Sequence, residues 1–422
     1  MTGKKEETTH DLKELDEFRF EVESSGLGTL ELISGEAEIF GTELVQNKVY
    51  TFPAGSKAAV FTFKGCTIKL VGSFEVAYMA GQTPMLTYMN VHAALEQLRN
   101  QAADKNSRGP RVLITGPKDV GKSTLSRILV NYAVRVERIP IFVDLDVGQG
   151  EISVPGSMGG LIVQRPHNIE DDYPQAIPLI YHFGHKSPND NIVLYNKLVS
   201  ALAETINQRC QSNTTANVSG CIINTCGWIK GGGYKSLVHI AGAFEVDIVI
   251  VIDQERLFTE LKRDMPDFVK IIQLQKSGGV VERSRESRLN SRDTSIRNYF
   301  YGKKGEFSPH CFYIDFADVQ IYQIGAPELP DSLLPIGMVM QQGETKLMPL
   351  VPSEALKHHV LSVSACESDE MEENIITTPV QGFIVITEVD MERSRFMILS
   401  PAPSPLPRTI LLDTEITFMD VK

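Results

Sequence analysis

The stretch Gly116-Pro-Lys-Asp-Val-Gly-Lys-Ser-Thr124 has the residue types and spacing to do phosphate chemistry. Its glycines let the backbone turn several N–H groups inward, where they can cradle an anion. The pattern Gly-x-x-x-x-Gly-Lys-Ser is that of a phosphate loop. In such a loop Lys122 reaches the β- and γ-phosphates of a nucleoside triphosphate, and Ser123 offers its hydroxyl to Mg2+. The expected nucleotide contacts are Gly116, Asp119, Val120, Gly121, Lys122, Ser123 and Thr124.

A phosphate loop by itself serves switches, motors and kinases alike, so the nearby acids must decide. Asp144 and Asp146 end the run Pro140-Ile-Phe-Val-Asp-Leu-Asp146 and, two apart, point to one side of a strand. A carboxylate there can hold a metal's water shell, the role open to Asp144 through water, or accept a proton from an attacking hydroxyl. Asp253, after Ile248-Val-Ile-Val-Ile252, is the rival. The Val-Gly-Gln-Gly150 that follows Asp146 favours it, because glycines permit close approach of a substrate backbone.

Two further stretches carry chemistry. Cys221-Ile-Ile-Asn-Thr-Cys-Gly-Trp228 ends a strand on the chain's one tryptophan, whose ring can stack on a base or fold into the core. Gly278-Gly-Val-Val-Glu-Arg-Ser-Arg-Glu-Ser-Arg288-Leu-Asn-Ser-Arg292 places Arg285, Arg288 and Arg292 on one helical face, with Arg283 at its near end. Arginines behind a glycine hinge suit a lid that neutralises charge in a transition state, although a basic surface helix has the same pattern. His182 and His185 lack a third metal ligand and line the cleft or pack; His358 and His359 read as structural.

The elements that position these residues follow from periodicity. Arg111–Thr115 is an apolar run of buried-strand length, and Leu125, Ile128, Leu129, Tyr132 and Ala133 recur on one helix face. Apolar runs at 177–181, 220–225 and 246–252 alternate with helical patterns at 192–208 and 255–264, which predicts an α/β domain over 111–306 with a parallel sheet and a lid near 278–300. Residues 1–14 read as a flexible tail, 15–83 as an all-β sandwich, and 84–110 as a helix from about Asn90 to Ala102 with a linker. Beyond Phe307 the texture returns to β, giving a smaller β-rich C-terminal domain over 307–422. Its acidic run Glu367–Asn374 reads as a solvated loop and Pro401–Pro407 as a stiff spacer.

Composition sets outer bounds. The chain has 422 residues, 42% hydrophobic and 22% charged, enough for two or three domains with their own cores. No apolar stretch reaches the ~18 residues of a membrane span, and the polar start is not a signal peptide. Six scattered cysteines without a C-x-x-C pair indicate neither a zinc ribbon nor a disulfide framework, and hence a reducing compartment. A net charge of −12 argues against broad coating of nucleic acid and for a local positive cleft. With no Asn-Lys-x-Asp run to read guanine, a GTP switch is disfavoured.

Together the phosphate loop, Val143-Asp-Leu-Asp-Val-Gly-Gln-Gly150, Asn224-Thr-Cys-Gly-Trp228 and Val280-Val-Glu-Arg-Ser284 resemble the eukaryotic polyribonucleotide 5′-hydroxyl kinases. The likeness extends to Glu17-Phe-Arg-Phe-Glu-Val-Glu23, Glu38-Ile-Phe-Gly-Thr-Glu43 and Leu399-Ser-Pro-Ala-Pro403, and so covers nearly the whole chain. It implies an ATP-dependent RNA kinase with Mg2+ as cofactor, Lys122 and Ser123 on the phosphates and metal, and Asp146 as general base. Trp228 would clasp the terminal base, with Gln149 and His185 as further RNA contacts. Arg283 and Arg288 would be the lid arginines, and Glu17 and Lys57 would grip the adenine end of ATP. The implied partners are RNA with a 5′-hydroxyl end, a pre-mRNA cleavage-factor subunit and the tRNA-splicing endonuclease complex, in the nucleus. An ATP-bound scaffold with little turnover would carry the same phosphate loop.

Overall fold

The computed structural model describes residues 6–170, 177–325, 345–367 and 372–420. Its N-terminal part is a sandwich of two antiparallel sheets. One runs in the order Glu6–Leu12, Cys66–Gly72, Gly28–Gly35, Val49–Phe52; the other runs Thr42–Glu43, Glu38–Ile39, Lys57–Phe61, Glu17–Val22, Phe74–Met79. Burial alternates along Gly28–Gly35 and Cys66–Gly72, so Leu30, Leu32, Ile68 and Leu70 meet Phe18, Phe20 and Val60 between the sheets.

The expected tail over 1–14 is wrong where the chain is described. Glu6–Leu12 is a full edge strand, antiparallel to Cys66–Gly72, with Leu12 opposite Cys66. Leu12 is buried, while Glu7, Thr8, Thr9 and Asp11 are exposed. Ladder hydrogen bonds hold such an edge whatever its side chains, so its polar sequence conceals it. The expected helix is also longer: it spans Met85–Asp104 and buries Met85, Tyr88, Val91 and Leu95 beside Leu125, Ile128 and Leu129 of the helix after the phosphate loop. It therefore belongs to the central core rather than to a linker.

The central sheet has seven strands in the order Leu179–His182, Ser157–Ile162, Ile141–Asp144, Cys221–Asn224, Arg111–Thr115, Ile248–Ile252, Lys270–Leu274. The last five are mutually parallel, as the alternation predicted. Ser157–Ile162 breaks the pattern by running antiparallel to both its neighbours. Its Ser-Met-Gly-Gly-Leu-Ile sequence hid it, yet the glycine is required: a Cβ on Gly159 would lie 2.4 Å from the Leu179 carbonyl.

A third sheet of seven strands forms the C-terminal domain, in the order His310–Asp315, Arg395–Ser400, Val380–Asp390, His359–Ser364, Ile410–Thr417, Gln320–Ile324, Leu347–Pro349. His359–Ser364 and Leu347–Pro349 were not anticipated. Of the acidic run, residues 368–371 lie outside the described residues, and Glu372–Thr377 forms a short helix. Among the described residues no helix is long and apolar enough to cross a membrane, and all six cysteines are free thiols.

Candidate active site

The phosphate loop leaves the strand Arg111–Thr115 through Gly116 at φ +151°, where a Cβ would sit 2.6 Å from the Ile252 carbonyl. Asp119 (φ 56°) and Gly121 (φ +93°) make the remaining left-handed turns. The helix Lys122–Arg135 then starts with no side chain capping its N-terminus. Its first N–H groups and its dipole are thus left for an anion. Leu125, Ile128, Leu129, Tyr132 and Ala133 are all buried, which fixes the helix against the sheet. Glu38 of the sandwich accepts from Tyr132 and Arg135, so the N-terminal domain is seated on this helix.

Lys122 is buried, and its Nζ donates to the carbonyls of Gly116 (3.1 Å) and Pro117 (2.7 Å). Burial lowers its pKa, while the Asp146 carboxylate opposes that shift. Both Asp146-directed backbone bonds, from Gly148 N and Gln149 N at 3.1 Å, fall on Oδ1. Among the described residues Oδ2 accepts no backbone hydrogen bond. Asp253, its rival, is exposed in a left-handed turn on the opposite side of the phosphate-loop strand.

Asp144 lies deeper. Its Oδ1 accepts from Asp146 N and from Asn224 Nδ2, each at 3.1 Å, and its Oδ2 accepts from Glu151 N at 2.6 Å. Burial and then the Asp146 charge push its pKa up to about 7. Asn224 Nδ2 also lies 3.3 Å from Ser123 Oγ, so one amide joins the loop hydroxyl to the deep carboxylate. Among the described residues no three His, Cys, Asp or Glu side chains converge to cage a metal. Mg2+ rarely needs such a cage, because it keeps waters and takes substrate phosphates as ligands. Ser123 and Asp144 fit that role, and among the described residues Asn224 Oδ1 and Glu151 Oε2 are buried without a partner.

The far wall is the helix Arg285–Tyr301, capped by Ser284. Its distal end is anchored, with Ile296 and Phe300 buried among Val360, Phe383 and Phe418 of the C-terminal domain. Its near end carries the arginines. Arg288 pairs with Asp119 of the phosphate loop, Arg292 Nε donates to the Gly148 carbonyl at 3.0 Å, and Gln149 Nε2 donates to the Arg288 carbonyl at 3.2 Å. Arg283 and Arg285 are exposed. A Cβ on Gly279 would lie 2.8 Å from Arg19 Nε, so close packing, not only hinge freedom, accounts for that glycine.

Trp228 is half-buried on the helix Gly232–Ala243, where a Cβ on Gly232 or Gly233 would strike the indole ring at 2.8 or 2.7 Å. Gly227 lets this turn touch the phosphate loop, since its Cβ would lie 2.6 Å from Lys118 N. His185 is turned to the C-terminal domain: its Nδ1 is 3.5 Å from Glu415 Oε2. The structure does not bring Glu17 and Lys57 together. Glu17 pairs with Arg19 at 2.6 Å and accepts from Thr83, while Lys57 pairs with Glu21 four positions along the strand.

Sequence reasoning gave no role to Asn224, Glu151 or Arg19. Asn224 stood within a singled-out motif, but its meaning depends on two strands it neighbours in space. Arg19 is buried and reaches the Gln82 carbonyl (3.1 Å) and Ser277 Oγ (3.5 Å), linking the sandwich to the segment entering the lid.

Comparison with known proteins fits this geometry. Residues 116–302 match the family described as mRNA cleavage and polyadenylation factor CLP1 P-loop, residues 11–102 the N-terminal beta-sandwich domain of polyadenylation factor, and residues 307–420 pre-mRNA cleavage complex II protein Clp1. The chain is 55% identical over 419 residues to the Polyribonucleotide 5′-hydroxyl-kinase Clp1 of Gallus gallus, covering 99% of this chain and 98% of the relative. It is 56% identical to the Homo sapiens protein of that name over the same shares, and 54% identical to the Xenopus tropicalis protein over 98% of this chain and 95% of the relative. A solved structure of a wild-type Clp1p–Pcf11p complex has the same fold, with TM-score 0.86, 24% identity and full coverage of both chains.

Proposed function

The chain belongs to the polyribonucleotide 5′-hydroxyl-kinase Clp1 family, and on that premise we propose that it transfers the γ-phosphate of ATP to the 5′-hydroxyl of RNA. The observation that carries this reading is a buried phosphate-loop lysine whose charge the Asp146 carboxylate supports, Asp146 itself taking its backbone hydrogen bonds on Oδ1 alone.

In this reading Lys122 exchanges its loop carbonyls for the β- and γ-phosphates. Asp146 takes the proton of the RNA 5′-hydroxyl as that oxygen bonds to the γ-phosphorus, and the bond to the bridging oxygen breaks to release ADP. Ser123 and Asp144 would hold Mg2+, which would supply charge neutralisation on the phosphates. Arg288 and Arg283 act from the lid on the transferring group, and closure holds the reactants in line. Trp228 stacks on the terminal base, Gln149 and His185 contact the RNA beyond it, and Glu17 and Lys57 serve the adenine end from the sandwich. A cleavage-factor subunit and the tRNA-splicing endonuclease complex are the proposed partners, in the nucleus.

The test is transfer from γ-labelled ATP to a short 5′-hydroxyl RNA by the native chain and by Asp146→Asn, with ATP binding measured alongside. A general base contributes about 10²–10⁴-fold, so the variant loses that much turnover while binding ATP as before. No labelled RNA from a native chain that binds ATP tightly would instead make it an ATP-bound scaffold.

A further inference from the structure

Asn224 ends the strand that lies between the phosphate-loop strand and the Asp144 strand. It is in register with Ile114 on one side and with Asp144 on the other. It is fully buried, and its Nδ2 faces Ser123 Oγ and Asp144 Oδ1 at once. A side-chain amide has two N–H bonds, so one group can serve both oxygens. With Asp144 ionised, the opposite amide orientation would set a carbonyl against a carboxylate, two acceptors without a proton, so the ionised neighbour fixes which end is nitrogen. The carbonyl Oδ1 is then left buried without a partner, as is Thr115 Oγ1 at the end of the adjacent strand. Buried oxygens are rarely left so unless a ligand or an ordered water completes them.

We propose that Asn224 is a positioning residue for the metal–nucleotide complex. It holds the Ser123 hydroxyl and the Asp144 carboxylate at one spacing, and its carbonyl accepts from a water of the bound Mg2+. It touches neither the RNA nor the transferred phosphoryl group; it acts through the two groups it bridges. Partners of this kind matter because a metal ligand that is not oriented binds more weakly. The inference rests on the ATP-kinase reading for its ligand, and its test separates the two.

ATP affinity is measured by calorimetry in Mg2+ and in EDTA for the native chain, Asn224→Leu and Asn224→Ser, together with the Mg2+ dependence of RNA phosphorylation. Leucine has similar size and no donor; serine can donate to only one of the two oxygens. The expected result is an EDTA affinity within about twofold of native, with the Mg2+-linked gain in affinity reduced about tenfold in Asn224→Leu. The Mg2+ concentration for half-maximal transfer rises by a similar factor, and Asn224→Ser falls between. Equal loss with and without Mg2+, no loss in either, or a native chain whose ATP affinity ignores Mg2+ overturns the proposal. If thermal melting shows Asn224→Leu unfolded, the serine variant decides by the same split. A native chain that binds Mg2+ and ATP but phosphorylates no RNA defeats the kinase reading and leaves the calorimetric comparison to judge Asn224.

Discussion

Asp119 and Arg288 hold each other across the phosphate loop, the guanidinium donating to Asp119 Oδ2. The Arg283 backbone N–H donates to the same oxygen at 3.2 Å. The near end of the helix Arg285–Tyr301 is thereby tied to the phosphate loop. A triphosphate offers Arg288 a more highly charged partner, so nucleotide binding and the latch compete.

Replacing Asp119 by Asn should release that latch. Asn tolerates the left-handed backbone at this position, so the loop keeps its shape. Amide exchange across residues 283–292 should quicken in the nucleotide-free chain and match native when ATP is bound. Global stability should change by no more than about 1 kcal/mol, because the pair lies near the surface. Unchanged exchange without nucleotide would show that no latch exists.

The proposed stacking role of Trp228 can be tested apart from ATP binding. Trp228→Ala should raise the KM for a short RNA, since stacking on an aromatic ring is worth about 1–3 kcal/mol per base. ATP affinity should stay near native, and Trp228→Phe should restore most of the RNA affinity. If phenylalanine restores nothing, the indole serves packing on Gly232 and Gly233 rather than the base.

What the sequence disclosed and what it concealed divide along a physical line. The phosphate loop, Asp146 and the strand Ile248–Ile252 depend on local spacing or on a continuous apolar run, and these can be read from the chain. The edge strand Glu6–Leu12 is exposed at Glu7, Thr8, Thr9 and Asp11 and takes its order from a partner about sixty residues away. Ser157–Ile162 is held by the same kind of long-range pairing, with glycines where a strand reader expects branched side chains. Arg19 and Asn224 acquire meaning only when distant segments meet, so their residue type alone says nothing of their roles. The resemblance assigned Glu17 and Lys57 together, and only the strand register shows Arg19 standing between them.

Arg19 and Glu17 form an ion pair in which both partners are below a tenth exposed. Arg19→Ala leaves the Glu17 charge buried with Thr83 and should cost about 3–5 kcal/mol by denaturant unfolding. Adding Glu17→Gln should recover a large part of that loss, because the uncompensated charge is gone. Additive losses in the double variant would mean that the pair contributes packing and not charge balance.

The seam between the central and C-terminal sheets should be acid-sensitive. His182 Nδ1 lies 2.7 Å from Ser362 Oγ across that seam, and the ring is buried. Burial, and then the neighbouring His185, lower its pKa from 6.5 to about 3. The folded ring stays neutral while the unfolded ring takes a proton below 6.5. Its contribution is therefore full above 6.5 and is lost progressively as pH falls toward 3, at about 1.4 kcal/mol per unit. His359 tilts the other way, because its hydrogen bond to Asp413 raises its pKa. Its stabilisation is full below 6.5 and disappears as pH rises through its folded pKa. Denaturant unfolding at pH 7, 6 and 5 should show native losing about 2 kcal/mol relative to His182→Gln between pH 7 and 5. His359→Gln should lose stability against native most at the acid end. Parallel pH profiles for native and His182→Gln would remove His182 as the acid-sensitive group.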